Sequence, residues 1–344
     1  MTRIEFDCRA TIIGSMPHTD PERACAQITH YLKDIPAWPQ LPQRSFRENM
    51  YAQYCEGFPG IVVDEAGKRI YVDRAADLTE AQEKLYTAYL DGDFDQFPIG
   101  PDYASGLYTF LGRKDLSPWA VKGQVVGPVT WGLTVTDESK RPIIYDELLG
   151  DAVAKLLRLK AGWMEQRLRE ISKNTVIFFD EPYMSAFGSV GMMIDKEQII
   201  SMLEEVLGGI SGLKGVHCCG NTDWSILLAT SLDILSFDAY NYAESLTIYV
   251  SEVKEFLGRG GTIAWGIVPS DEEPLAKESA ASLQDRLEEA IAPFTRQGIP
   301  FKQLIKQGLL TPSCGLASLS TEEITARALE FLAELSGKIR KRYQ

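Results

Sequence analysis

The sequence predicts an α/β protein built as one closed (β/α)8 barrel of the TIM type, a single domain over residues 1–344 with a segment inserted near the barrel mouth. Three observations lead there. Eight short β-rich runs recur along the chain, each followed by a stretch long enough for a helix. Several of those stretches carry apolar residues at spacings of three and four. No run is followed by the G-x-G-x-x-G turn of an open dinucleotide-binding sheet; the nearest glycine cluster, "GRGG" (258–261), precedes a strand.

In order, the predicted strands are "RATIIGS" (9–15), "WPQLP" (38–42), "WAVKGQVVG" (119–127), "TVIFFDEP" (175–182), "GVHCC" (215–219), "LDILSFD" (232–238), "TIAWGIV" (262–268) and "QGLLTPSCG" (307–315). β-Branched and aromatic residues fill most of them, and Gly, Pro, Ser or Asp bound them. The prolines of "DIPAWPQLP" (34–42) read as a rigid entry to the second strand. Helical periodicity appears in 151–171, 197–210 and 283–297. The last helix starts at a capping box, Ser320-Thr321-Glu322-Glu323, and runs to about Arg342. Residues 60–118 fit no strand–helix unit; "IVVDEAGKRIYVD" reads as a hairpin turning at Glu65-Ala66-Gly67, followed by the helical "LTEAQEKLYTAYLDGD". This segment is expected over the mouth.

With 45% hydrophobic and 24% charged residues, the composition is that of a folded globular chain. No stretch approaches the ~18 uninterrupted apolar residues of a membrane span, and the start lacks the basic-then-apolar pattern of a signal peptide, so the expectation is a cytoplasmic protein. A net charge of −13 argues against nucleic acid as a partner. In a reducing compartment the six scattered cysteines point to metal or catalytic roles rather than disulfides.

Catalytic groups of such barrels lie at the C-terminal ends of the strands. Here those ends carry Gly14 and Ser15, Asp180 and Glu181, His217 and Cys219, Asp238, and Cys314. His217 and Cys219 are two apart and share one side of a strand, while Cys218 takes the other. Two thiolates, an imidazole and a carboxylate suit tetrahedral Zn²⁺. Taken singly, a histidine and free cysteines are more often buried packing; their coincidence at strand ends favours the metal. A Cys218–Cys219 redox pair is disfavoured because adjacent cysteines on a strand diverge. Trp131 and Trp265 read as core cover rather than a flat cofactor face.

The motifs "TIIGSMP", "VVGPVT" (125–130), "FFDEP" (178–182), "VHCCGN" (216–221), "LDILSFD" and "LTPSCGL" (310–316), in this order over nearly the whole chain, resemble the catalytic barrel of cobalamin-independent methionine synthases and their relatives in the uroporphyrinogen decarboxylase superfamily. The resemblance implies a zinc-dependent methyltransferase acting on the thiol of homocysteine. It implies His217, Cys219 and Cys314 as zinc ligands, with Asp238 standing where the family has glutamate. It assigns Gly14, Ser15 and Asp180 to the amino-acid part of the substrate, and Glu48 of "RSFRENM" (44–50) to its amine.

Two departures from the family's long members bear on the donor. Those members carry a second barrel, which this sequence lacks, and a histidine after the seventh strand that protonates the departing folate; the corresponding "WGIVPSDEEPLAKES" (265–279) has none. A tertiary amine leaves poorly unless protonated, whereas a methylcorrinoid leaves as cobalt(I) without a proton. Methylcobalamin or a methylcorrinoid, delivered by a corrinoid protein, is therefore the expected donor rather than methyltetrahydrofolate. The alternatives are transfer to another thiol such as coenzyme M, and a noncatalytic barrel stapled by zinc.

Overall fold

The computed structural model describes residues 5–189 and 192–343. Its strands are β1 (Arg9–Ala10), β2 (Ile61–Asp64), β3 (Arg69–Val72), β4 (Val121–Val126), β5 (Thr136–Asp137), β6 (Thr175–Asp180), β7 (Leu213–Cys218), β8 (Ile234–Phe237), β9 (Thr262–Val268) and β10 (Gly308–Pro312). Seven of these form a curled parallel sheet in the order β1-β10-β9-β8-β7-β6-β4, the sequential order of a (β/α)8 barrel with one stave short.

The missing stave is the second predicted strand. The extended chain lies at 36–40 rather than the predicted 38–42, and it forms no regular ladder, because Pro36 and Pro39 have no N–H to donate. The chain is nevertheless held on both sides. Lys122 N donates to Pro36 O at 3.0 Å on the β4 side; on the β1 side Gln40 N donates to Gly14 O at 3.0 Å and Met16 N to Gln40 O at 2.9 Å. Parallel bridges Ala37↔Lys122 and Ser15↔Gln40 close the ring.

Side chains alternate along each strand, so one inward residue fixes the rest. Phe6, Ala120, Val176, Phe178, Ile234, Ala264 and Leu309 plug the barrel floor. Two residues further along, the same inward rows turn polar: Ala120 leads to Lys122 and Gln124, Phe178 to Asp180, Ile234 to Ser236 and Asp238, with His217 beside them on β7. The floor is apolar and the mouth carries chemistry. Outward residues join the larger core between the strands and the helices, where Trp131 and Trp265 are fully buried as expected.

The helices Glu147–Leu168, Lys196–Leu207, Ala280–Arg296 and Glu322–Tyr343 occupy the four predicted regions. The last begins one residue later than the predicted cap. Thr321 Oγ1 accepts from Ile324 N at 3.2 Å, and the Ser320 amide donates instead to Glu272 of the preceding βα loop. In the insertion, β2 and β3 form the predicted antiparallel hairpin, with Asp64 opposite Arg69. β3 also pairs with β5 in the loop after β4, which ties the hairpin to the mouth. The following helix, Thr79–Asp91, packs on the outer helix Glu147–Leu168. Among the described residues no helix is long and apolar enough to cross a membrane.

Candidate metal centre

His217, Cys219 and Cys314 come together at the mouth, with one potential ligand atom from each lying within 4.8 Å of the others. His217 sits inward on β7, Cys219 one residue beyond that strand, and Cys314 two beyond β10. The imidazole is oriented from behind. His217 Nδ1 lies 3.0 Å from Ser236 Oγ, its register neighbour on β8. Nε2 is buried without a hydrogen-bond partner. A buried ring nitrogen with no partner is costly unless something binds it. The serine contact leaves that nitrogen free for a metal, the arrangement usual for ligating histidines.

The thiols carry the same signature. The neighbouring Cys314 thiol and His217 pull the Cys219 sulfur down to about 4 against the opposing effect of burial. Cys314 is pushed far up in exchange. A divalent cation between the two sulfurs would hold both as thiolates. Two sulfurs and an imidazole nitrogen, closely spaced, fit Zn²⁺ and leave a fourth tetrahedral position open. Cys218 takes no part. It is fully buried on the outward side, its Sγ 3.5 Å from Gly220 O.

Asp238, expected as a fourth ligand, does not join the group. It caps the helix Ala239–Leu246, with Oδ1 accepting from Asn241 N at 2.9 Å and Oδ2 from Asn241 Nδ2 at 2.7 Å. Both oxygens are committed to the cap, so the shorter aspartate serves the helix while remaining within electrostatic reach of His217.

A cavity of about 630 Å³ opens over the three ligands, a size suited to a drug-sized ligand. Ser15, Glu48 and Asp180 line it. Ser15 Oγ lies so close over Gly315 that a β-carbon there would overlap it, which accounts for glycine after Cys314. Gly14 is not a wall of the cavity. Its φ of +138° and the Gln124 carboxamide packed against it leave no room for a side chain. Asp180 Oδ1 is buried without a partner, and burial pushes its carboxyl up to about 6 against the pull of His217 and Lys122. Glu48 is buried and already bonded, to Arg44 Nη1 at 2.6 Å and Ser105 Oγ at 2.8 Å. Glu181 turns away, its carboxylate accepting from Val129 N and Thr130 N at 2.9 and 2.8 Å.

Sequence reasoning missed Ser236 and Lys122. Each had a signal: Ser236 lies opposite His217 once the parallel register is drawn, and Lys122 is the one charged residue in its strand. Lys122 is fully buried beneath the site, with Nζ 3.1 Å from Ile13 O and 2.8 Å from Gln124 Oε1, and over the Phe178 ring. Burial lowers it to about 7, while Asp180 opposes that shift. A test of the orienting contact is Ser236→Ala, which should weaken zinc binding by roughly 10–100-fold in a chelator competition. An unchanged zinc affinity would remove Ser236 from the site.

Neither a protein-family profile nor a curated protein matches the sequence. Solved structures do match. A B12-independent methionine synthase from Shewanella sp. W3-18-1, in complex with selenomethionine, superposes with a TM-score of 0.57 at 17% identity, over 97% of this chain and 98% of that one. A methyltransferase from Methanosarcina mazei gives a TM-score of 0.56 at 13% identity, over 98% of this chain and 94% of that one. At such identities the likeness speaks for architecture, and it runs nearly end to end in both directions: the chain carries the barrel fold of these two proteins.

Proposed function

We propose that this chain is a methyltransferase of the methionine synthase type, which moves a methyl group onto the thiol of homocysteine with zinc held by His217, Cys219 and Cys314. The observation that carries the reading is the three-ligand group with its orphaned Nε2, opening into a cavity that also presents the orphaned Asp180 carboxylate. The similar barrels bear the names of a methionine synthase and a methyltransferase, and the first was solved with selenomethionine, the selenium analogue of the thioether methionine. Three protein ligands with an open position are the pattern of catalytic zinc, whereas structural zinc is closed by four. This favours catalysis over a stapled barrel.

Zinc, when bound, supplies the Lewis acidity that keeps a thiol in its reactive thiolate form at neutral pH. The chain's own residues do the rest. Asp180 receives the substrate ammonium in a desolvated pocket, the buried Lys122 below it favours the ionised carboxylate, and the Ser15 hydroxyl borders the same space. In the transfer, the sulfur's electron pair forms the S–CH3 bond, the pair of the broken bond stays on the donor, and the thiol proton leaves to solvent. The methyl donor in this reading is a methylcorrinoid, which leaves as cobalt(I) without needing a proton.

The test is metal analysis together with methionine formation from homocysteine. In the same assay Asp180→Asn should raise the homocysteine KM by roughly tenfold or more, the worth of a hydrogen bond to a charged group, and leave zinc content intact. A variant with unchanged homocysteine dependence removes Asp180 from substrate binding.

A further inference from the structure

The cavity is electrically lopsided. At its inner, buried end stand the Asp180 carboxylate and the ligand sulfurs; its waist is apolar, formed by residues such as Ile13, Phe46 and Met50; and at the exposed end the hairpin contributes Lys68 and Arg69. The neighbouring arginines are spoken for. Arg69 pairs with Asp64 at 2.9 Å, Arg47 with Glu65 at 2.8 Å, and Arg44 with Glu48 at 2.6 Å. Among the described residues Lys68 forms no such pair and makes no side-chain hydrogen bond. In a chain of net charge −13, an unpaired ammonium on the wall of the cavity over the candidate metal ligands stands out.

The backbone at Lys68 adds a second observation. The residue has φ +49°, the left-handed conformation that hairpin loops usually give to glycine or asparagine. The sequence places its glycine one position earlier, at Gly67, where a β-carbon would overlap the Asp64 carboxylate. A lysine is thus held where glycine would fit with less strain, which points to use of the side chain.

We propose that Lys68 is the binding subsite for an anionic group of the methyl donor, specifically the phosphodiester of a corrinoid lying across the mouth. The inference rests on the methyltransferase reading above. An amino acid with its ammonium on Asp180, its sulfur among the metal ligands and its carboxylate at the Ser15 hydroxyl would find its partners at the inner end, so the cation at the rim is left for the second reactant. The carboxylates inside would repel the same anion, which orients the donor with its charge outward.

The experiment compares the wild type with Lys68→Glu, Lys68→Gly and Lys68→Arg, all zinc-loaded, using methylcobalamin and methylcobinamide; the second lacks the phosphodiester. Lys68→Glu and Lys68→Gly should weaken methylcobalamin about tenfold, in KM and in equilibrium dialysis, while methylcobinamide and homocysteine constants stay put and Lys68→Arg keeps wild-type behaviour. Lys68→Gly relieves the left-handed backbone, so a loss of donor binding in that variant cannot come from a damaged turn. Equal losses for both corrinoids, an effect confined to homocysteine, or no effect on methylcobalamin overturns the subsite. If the wild type transfers no methyl group, the proposed function fails. Dialysis still decides the subsite in that case: methylcobalamin binding that weakens in Lys68→Glu upholds it, and absent or unaltered binding rejects it.

Discussion

Cys314→Ser protein should purify with far less than one zinc per chain and lose methionine formation by more than about a hundredfold. Disturbing a group that merely orients a ligand typically costs 10–100-fold, so removing a ligand itself should cost more. Serine is nearly isosteric but its hydroxyl does not ionise near neutral pH, so the divalent charge would face one thiolate instead of two. Cys218→Ser is the matched control. That sulfur faces the core and contacts Gly220 O, and burial pushes it up to about 12, so it is a neutral thiol with no path to the site. Its replacement should leave zinc in place. Stoichiometric zinc in Cys314→Ser would sink the ligand assignment, and loss of zinc in Cys218→Ser would mean that the adjacent cysteines had been assigned to the wrong faces.

The metal group was legible because strand parity and strand ends are both written in the sequence: His217 and Cys219 two apart on one strand, Cys314 just past another. The same parity rule placed Cys218 in the core. Parity could not decide Asp238, which does point inward, because what its oxygens bind depends on the helix that starts immediately after it, and Asn241 claims both. The proline-rich second stave was found as extended chain, but its hydrogen bonding depended on the donors that Pro36 and Pro39 lack. The late helix cap moved by one residue because Glu272, from a loop distant in sequence, binds the Ser320 amide. Lys122 was visible as the one charge in its strand, yet only the closed barrel shows it beneath Asp180. For Ser320 and Lys122 what was missed is a partner supplied by another part of the chain; for Asp238 and the second stave it is the hydrogen bonding of neighbouring residues.

With zinc and homocysteine supplied, methylcobalamin should support methionine formation and methyltetrahydrofolate should not, with turnover at least ~10²–10⁴-fold apart, the usual worth of general acid help. The argument is about the leaving group. Folate must depart as an amine, and its nitrogen needs a proton in the transition state; cobalt departs as cobalt(I), keeping the electron pair of the cobalt–carbon bond. A proton donor would be expected in the loop after β9, where the first acids the sequence offers are Asp271 and Glu272. Glu272 accepts from the Ser320 amide and hydroxyl, which lower its carboxyl below the usual glutamate range, so at neutral pH it has no proton to give. Asp271 stands at the start of the helix Glu272–Lys277. Neither residue lines the cavity, and the one histidine that does is His217, whose free nitrogen belongs to the metal. The measurement uses the unmodified protein with each donor alone at matched concentration. Methionine from methyltetrahydrofolate at a comparable rate would overturn the assignment and make Asp180 the acid to test, since burial holds it at about 6 and near enough to neutrality to carry a proton. Asp180→Asn would then abolish folate turnover even at saturating homocysteine, whereas a residue that only binds the substrate ammonium would leave that saturated rate largely intact.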